Sequence, residues 1–227
     1  MIIITGASRG IGEYLFNSYL TSANEPILGT YLNSKPQNSL EMFVKLDISD
    51  YEQVDKLVQE KYEFLNRITL INCAGITYNS VGHKSDPKRW KNVIDVNLTG
   101  TYNMIRGVLP IMREQKYGRI INFSSVVAQK PTPGISAYAA SKSALWGLSK
   151  SIAVENAALN ITINNINLGY STLGMIDMVP EEYKEKILQQ IPARKFCDPQ
   201  DILNTVNYLN TTPYITGSSI DISGGLV

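Results

Sequence analysis

An apolar run, Ile2-Ile3-Ile4, stops abruptly at Thr5-Gly6-Ala7-Ser8-Arg9-Gly10-Ile11-Gly12, and a helical pattern (Ile11, Tyr14, Leu15, Tyr19) begins inside that turn. A short, continuous apolar run is what a strand buried on both faces looks like. Strand, glycine-rich turn and helix in succession aim the N–H groups of a helix N-terminus at an anion such as a phosphate. The spacing is Gly-x3-Gly-x-Gly, not the Gly-x-Gly-x-x-Gly of the common dinucleotide turn. The physical demands are alike: one glycine permits the tight turn, and the others let backbone or phosphate approach where a Cβ would clash.

The alternation continues along the chain. Ile27 to Tyr31 and Met42 to Leu46 read as the second and third strands; only about ten residues separate them, near the minimum for a parallel crossover, so a loop or single turn is expected there, not a full helix. Asp50 caps a helix expected to reach about Asn66, with Val54, Leu57, Val58 and Leu65 on its inner face. Ile68 to Ile71 is a fourth strand that runs into Asn72-Cys73-Ala74-Gly75, and the polar stretch Thr77 to Ser85 reads as loop. Asp86-Pro87 provides an N-cap and a first-position proline for a long helical region through Trp90, Val93, Asn97, Met104 and Val108. Arg119 to Phe123, Ile161 to Ile166 and Ser219 to Ile222 are further strands. Helices are expected over Ser136 to Ala157, over Glu181 to Gln190, and from Asp198-Pro199 through Leu209; residues 170–179 carry no clear pattern. This order implies an α/β fold, a parallel sheet of about seven strands with helices on both faces. No linker, repeat or low-complexity stretch interrupts residues 1–227, so a single domain is expected, with 44% hydrophobic residues to fill its core.

Several function classes drop out. A net charge of +1 leaves no basic surplus for nucleic acid, Cys73 and Cys197 sit in unrelated contexts, and the single His83 excludes a histidine metal cluster, so no metal site is expected. No apolar run approaches the ~20 residues of a membrane-spanning helix. The first strand begins without a basic leader, so a cytoplasmic setting with no membrane partner is expected.

Tyr138 and Lys142 lie four residues apart in a predicted helix, so they leave the same face and can share a ligand. A phenol titrates near pKa ~10 and is a poor proton donor or acceptor at neutral pH. A nearby ammonium favours the phenolate; bringing the value to about 7 takes ~4 kcal/mol of differential stabilisation. One lysine in a partly desolvated cleft, with a cationic cofactor ring, can supply that. Tyr-x-x-x-Lys alone equally describes a packed tyrosine beside a snorkelling lysine. Ser125 adds weight, because it follows Ile120, Ile121 and Phe123 where a strand would deliver it to the same cleft.

Together, Thr5-Gly6-x3-Gly10-x-Gly12, Asp47, Asn72-x-Ala74-Gly75, Asn97, Ser125, Tyr138-x3-Lys142 and Ile215-Thr216-Gly217…Gly224-Gly225 resemble, in order and over the whole chain, the short-chain dehydrogenase/reductase family. Within it, strings such as GRIINFSS (118–125) are similar to the 3-oxoacyl-(acyl carrier protein) reductases. The resemblance implies a Rossmann-like, doubly wound sheet and an oxidoreductase that interconverts a ketone and a secondary alcohol. It implies that Gly6, Ser8, Arg9, Gly10, Ile11 and Gly12 form the pyrophosphate turn, and that Asp47 and the Ile48 backbone take the adenine. Asn72, Ala74 and Gly75 would line the cofactor, and Gly169, Ser171 and Thr172 would border its nicotinamide amide. Lys142 would hold the nicotinamide ribose, Ser125 the substrate oxygen, Tyr138 its proton, and Asn97 a water-linked relay to Lys142. Residue chemistry agrees: the nicotinamide moves the hydride, and the protein must supply one proton and an oxyanion partner. For Asn72 and Asn97 a second reading stands, in which each satisfies local backbone groups.

An NAD enzyme usually carries a carboxylate at the end of its second strand. Tyr31 occupies that place, followed by Leu32, Asn33, Ser34 and Lys35, while Arg9 stands in the glycine turn. Arg9 and Lys35 can pair with a 2′-phosphate, so NADP(H) is expected ahead of NAD(H); the other reading makes both residues solvated surface charges. The chain departs from the family at Leu168-Gly169, where Pro-Gly is usual, and at Leu173, where a threonine is usual; both border the 170–190 substrate lid. Of the two basic residues near the cleft that receive an acyl carrier protein, the first is Lys116 and the second is Leu159. The substrate is therefore either a 3-oxoacyl thioester, with the carrier protein as partner, or a sugar, polyol or other small carbonyl compound. A silent cofactor-binding regulator is the rival from another class. Met104, Leu145, Trp146, Leu148 and Ile152 are read as outer apolar positions of a homodimer or homotetramer interface.

Overall fold

The computed structural model describes residues 1–22, 25–174, 176 and 179–227. Its strands β1 (Ile2–Thr5), β2 (Ile27–Tyr31), β3 (Phe43–Lys45), β4 (Thr69–Asn72), β5 (Gly118–Ser125), β6 (Ile161–Leu168) and β7 (Ser219–Ile222) form one parallel sheet. The spatial order is β3-β2-β1-β4-β5-β6-β7. Direction of winding reverses between β1 and β4, the crevice where an open α/β sheet binds its ligand outside the carboxyl ends of the strands.

The helices are α1 (Gly10–Ser22), α2 (Tyr51–Lys61), α3 (Pro87–Ile94), α4 (Thr101–Gln115), α5 (Ser136–Asn156), α6 (Glu181–Gln190) and α7 (Pro199–Thr211). Because strand side chains alternate, neighbouring residues feed opposite cores. Ile3, Leu70, Ile120 and Ile163 pack with α2, α4 and α5; Ile4, Ile71, Ile121 and Ile166 pack with α1 and α7. Each such fully buried side chain stabilises the fold by roughly 1.5–3 kcal/mol. Helix starts follow the expected chemistry: Asp50 accepts from the N–H of Glu52 (3.0 Å) and Gln53 (3.3 Å), and Asp86 from Lys88 (2.7 Å) and Arg89 (3.2 Å).

The β2–β3 link holds a single turn, Leu40–Met42, as its length requires. Helix α2 stops at Lys61, short of the expected Asn66, and a tighter turn, Tyr62–Phe64, completes that segment. The region expected as one helix from Asp86 is α3 and α4 joined by a widened π-type turn, Asp95–Gly100. Met104 and Leu145 are buried, at 1% exposure each, not on the outer face expected for them, whereas Ile152, at 6%, reaches the outer groove. Both helices are apolar on more than one side, so hydrophobicity alone does not separate the inner side from the outer. The outer groove between α4 and α5 is lined by Tyr102, Ile105, Leu109, Pro110, Leu148 and Ile152, with Arg106 and Arg113 beside them. Among the described residues, no helix is long and apolar enough to cross a membrane.

Candidate active site

A cleft of about 210 Å³ opens over the carboxyl ends of β4, β5 and β6. It draws together Ile11, Gly75, Ser125, Tyr138, Lys142, Gly169 and Ser171, residues spread over most of the sequence. Ser125 is the last residue of β5 and pairs in register with Leu168 of β6, so the sheet itself carries the serine to the rim. Tyr138 and Lys142 come from the first two turns of α5 and face the same space, with the Lys142 Nζ 5.6 Å from the phenol ring centroid.

Burial governs the electrostatics. Lys142 is 5% exposed, and its ammonium donates to the Phe123 carbonyl at 2.6 Å. Burial brings its pKa down to about 8, with Cys73 pulling the other way. Tyr138 is pushed up to about 12 by burial, against a lowering influence from the Ser125 hydroxyl. The phenolate near neutrality expected above has a cationic cofactor ring beside the Tyr–Lys pair; in the chain alone the direction is upward. The Lys142 ammonium donates to the strand carbonyl, and desolvation is the larger influence on the phenol. At neutral pH the site presents a protonated phenol, a hydroxyl and an ammonium, which is the protonation state of a general acid facing a carbonyl.

Asn97 occupies the π-type turn and is fully buried. Its Oδ1 accepts from the Ile76 N–H (2.8 Å), and its Nδ2 donates to the Ile76 carbonyl (2.9 Å) and to the Ser141 hydroxyl (3.1 Å). It thus fastens the loop after β4 to α5, one turn from Tyr138. A Cβ on Gly75 would lie 3.4 Å from Asn97 Oδ1 and 3.6 Å from Lys142 Nζ, so all three meet at one wall of the cleft. The widened turn is the device that brings the asparagine inward; such bulges recur at functional sites.

The glycine turn suits a dinucleotide. Gly6 and Gly10 have φ of 63° and 56°, and a Cβ on Gly6 would come within 2.8 Å of the Ala74 Cα. A Cβ on Gly12 would overlap the Gly6 carbonyl. The turn is thus bare backbone facing the start of α1, and Gly174 leans on Gly10 from the lid side. Arg9 is exposed beside it, as is Lys35 after β2; Ser8 and Tyr31 are partly exposed. Asp47 follows β3, with Oδ1 accepting from the Ser49 N–H (3.0 Å) and hydroxyl (2.6 Å), and Ile48 next to it is buried. Asn72 turns into the sheet and donates to Asn122 at 2.8 Å, while its buried Oδ1 has no partner among the described residues. Ser171 and Thr172 are tied to the Cys197 carbonyl, at 3.4 Å from the Ser171 hydroxyl and 3.2 Å from the Thr172 N–H. The expected 170–190 lid is described except at 175, 177 and 178, which lie outside the described residues.

Other lining residues were hidden from pattern reading. Cys73, Val126, Val127, Tyr170, Leu173 and Ile176 border the cleft; burial pushes the Cys73 thiol well up, so it stays neutral beside Lys142. Cys73 sits inside the Asn72-to-Gly75 string, and Ser141 lies one turn past Tyr138, so spacing alone points to both. The expected basic docking residue is displaced: Lys116 precedes Gly118, the opposite end of β5 from Ser125, a span of roughly 25 Å at the rise of an extended strand.

A doubly wound parallel sheet with a bare glycine turn, and a Ser–Tyr–Lys cluster over its strand ends, defines a dinucleotide-type oxidoreductase. The family model described as short chain dehydrogenase matches residues 1–184. The chain belongs to this family and is an oxidoreductase of the CH–OH/keto class. It is 34% identical over 238 residues to a 3-oxoacyl-[acyl-carrier-protein] reductase of Staphylococcus aureus, covering 99% of this chain and 96% of the relative. It is 35% identical over 234 residues to an acetoacetyl-CoA reductase of Shinella zoogloeoides, covering 98% and 96%. The crystal structure of a 3-oxoacyl-[acyl-carrier protein] reductase from Brucella melitensis superposes with a TM-score of 0.90 at 28% identity, covering 99% of this chain and 90% of that one.

Proposed function

We propose that residues 1–227 act as one catalytic unit, an NADP(H)-dependent reductase of 3-oxoacyl thioesters to 3-hydroxyacyl thioesters. The observation that carries this reading is the Tyr138 phenol held beside Ser125 and Lys142 in one cleft whose other wall is largely apolar. When bound, the nicotinamide supplies the hydride. Tyr138 gives its proton to the carbonyl oxygen, Ser125 donates a hydrogen bond to the same oxygen, and Lys142 holds positive charge behind them. Asn97, anchored to Ile76 and Ser141, keeps that wall in place. Arg9 and Lys35, with no carboxylate from Tyr31 to Lys35, support the phosphorylated cofactor. Val126, Val127, Leu173 and Ile176 suit an acyl chain, and the activities named for the two relatives support a thioester.

A second reading, reduction of a small free carbonyl compound, is favoured by Leu159 at the second docking position and by Lys116 at the far end of β5. The groove of Tyr102, Leu109, Pro110 and Leu148 supports association into a homodimer or homotetramer, which a monomer in sedimentation at micromolar concentration would refute. NADPH and NADH consumption is measured with acetoacetyl-CoA, a 3-oxoacyl carrier-protein thioester, and a panel of small ketones and keto sugars. Preference for NADPH and a thioester supports the main reading. Turnover of small ketones alone selects the second. Cofactor binding without turnover, unaltered by Tyr138→Phe, selects the silent binder.

A further inference from the structure

Lys142 is held to β5 at both ends. Its ammonium donates to the Phe123 carbonyl, and its own backbone carbonyl accepts from the Ser124 hydroxyl at 2.9 Å. One turn further along α5, the Trp146 indole N–H lies 3.2 Å from the same Ser124 hydroxyl and 2.9 Å from Oδ1 of Asn167 on β6. Asn167 in turn donates from Nδ2 to Oδ1 of Asp221 on β7 at 2.7 Å. That oxygen also accepts from Gln129 Nε2 at 2.6 Å. Gln129 follows the turn Val126–Ala128, whose two valines line the cleft immediately after Ser125. A continuous set of hydrogen bonds therefore starts at the loop behind Ser125, crosses three strands, and ends on the helix that carries Tyr138 and Lys142.

We propose that Trp146, Asn167 and Asp221 are positioning residues that hold the Ser125 loop and the Tyr138–Lys142 helix at a fixed separation. The argument is geometric. A helix packed on a sheet through apolar contacts alone can slide or roll by a fraction of an ångström at little cost, because such contacts have no direction. A donor shared between two strands removes that freedom, and positional errors near 1 Å at a reacting centre can cost about a hundredfold in rate. None of these side chains reaches the cleft, so they act only through Lys142 and Ser125. The indole, the amide and the carboxylate oxygen each have a partner; Ser124 and Asn167 are buried, where a satisfied polar network stiffens a structure, and the Gln129–Asp221 end is exposed. Among the described residues, the titratable groups sharing the cleft with the Tyr138 phenol are Lys142 on its own helix, Cys73 beyond β4 and Tyr170 after β6, with Asp221 at the far end of the set.

The inference rests on the reductase reading, and its test includes a measurement that needs no turnover. Trp146→Phe keeps the ring and removes the donor; Asp221→Ala removes the acceptor; Asp221→Asn restores an oxygen that can take both hydrogen bonds. Trp146→Phe and Asp221→Ala are expected to lower kcat about tenfold while the KM for NADPH changes less than about twofold, and Asp221→Asn to recover most of the loss. The ultraviolet phenolate titration of Tyr138 is read as the difference between each protein and the same protein carrying Tyr138→Phe. It is expected to move to higher pH in Trp146→Phe and Asp221→Ala, because a displaced ammonium favours the phenolate less. Wild-type kcat in both variants, or a loss of kcat that tracks melting temperature with an unmoved titration and no recovery in Asp221→Asn, overturns the proposal. If the unmodified protein turns over no ketone, the reductase reading fails, and the titration alone decides the positioning claim.

Discussion

Replacing Lys142 with methionine is expected to stabilise the fold while destroying activity. The side chain is 5% exposed, and burial lowers its pKa from 10.5 to about 8. A difference of that size means the buried ammonium costs the native state roughly 3 kcal/mol relative to the unfolded chain. The cost is complete below about pH 8, where both states bind the proton, and disappears as pH rises toward 10.5, because over that window the unfolded chain holds more protons. Methionine fills a similar volume and carries no charge, but it leaves the Phe123 carbonyl without its donor, an offset of about 1 kcal/mol. The net gain of about 2 kcal/mol corresponds to a melting temperature higher by about 4–8 °C for a chain of this length. Thermal unfolding followed by circular dichroism, at neutral pH and again near pH ~10, measures both parts. The advantage of Lys142→Met is expected to shrink at the higher pH. Tyr138 and Cys73, whose raised values lower stability in alkali, are present in both proteins. A variant that melts below the unmodified protein at neutral pH, with a difference independent of pH, would refute the claim that the Lys142 ammonium is held against its hydration.

Tyr138→Phe removes the proton donor and is expected to lower ketone reduction by at least about a hundredfold without changing NADPH affinity, measured by cofactor fluorescence. Asn97→Ala leaves the Ile76 N–H and carbonyl without side-chain partners and is expected to cost about 2–4 kcal/mol, read as a lower urea midpoint. Gly6→Val forces a branched residue into φ 63° and drives its Cβ toward the Ala74 Cα; loss of NADPH binding at least as large as the loss of stability is expected in calorimetric titration. For the unmodified protein, alcohol oxidation should rise with pH well above neutrality, since the phenol must first lose a proton held by burial; a flat profile there contradicts the assigned role.

The strands and their caps were readable because the signals are local. Ile2 to Ile4 reads as a doubly buried strand, Asp50, Asp86 and Asp198 cap the helices they were expected to cap, and the length of the β2–β3 link alone excludes a crossover helix. Ser125, Tyr138 and Lys142 were readable for a related reason, since strand end and helical spacing are sequence properties. What stayed hidden depends on partners distant in sequence. Nothing local announces the widened turn at Asn97, which is held by Ile76 and Ser141. The ionisation of Tyr138 in the chain alone was not readable either: burial pushes the phenol up, and the Lys142 ammonium donates to Phe123, a contact that exists only once β5 and α5 meet. The inward facing of Met104 and Leu145 is likewise a choice among apolar sides that only the packed sheet makes.

Leu168 stands where the family usually carries proline, and it leaves an amide hydrogen where proline would have none. Strand β6 keeps step with β5 as far as Ser125, so the Ser125 hydroxyl is mounted on a continuous double rail. On the opposite boundary, among the described residues from Tyr170 to Ile176, one bridge joins Ser171 to Cys197. The serine side of the chamber is thus built from paired strands and the other side from loop. New substrate preferences should therefore come from changes on the loop side, with the paired strands left alone.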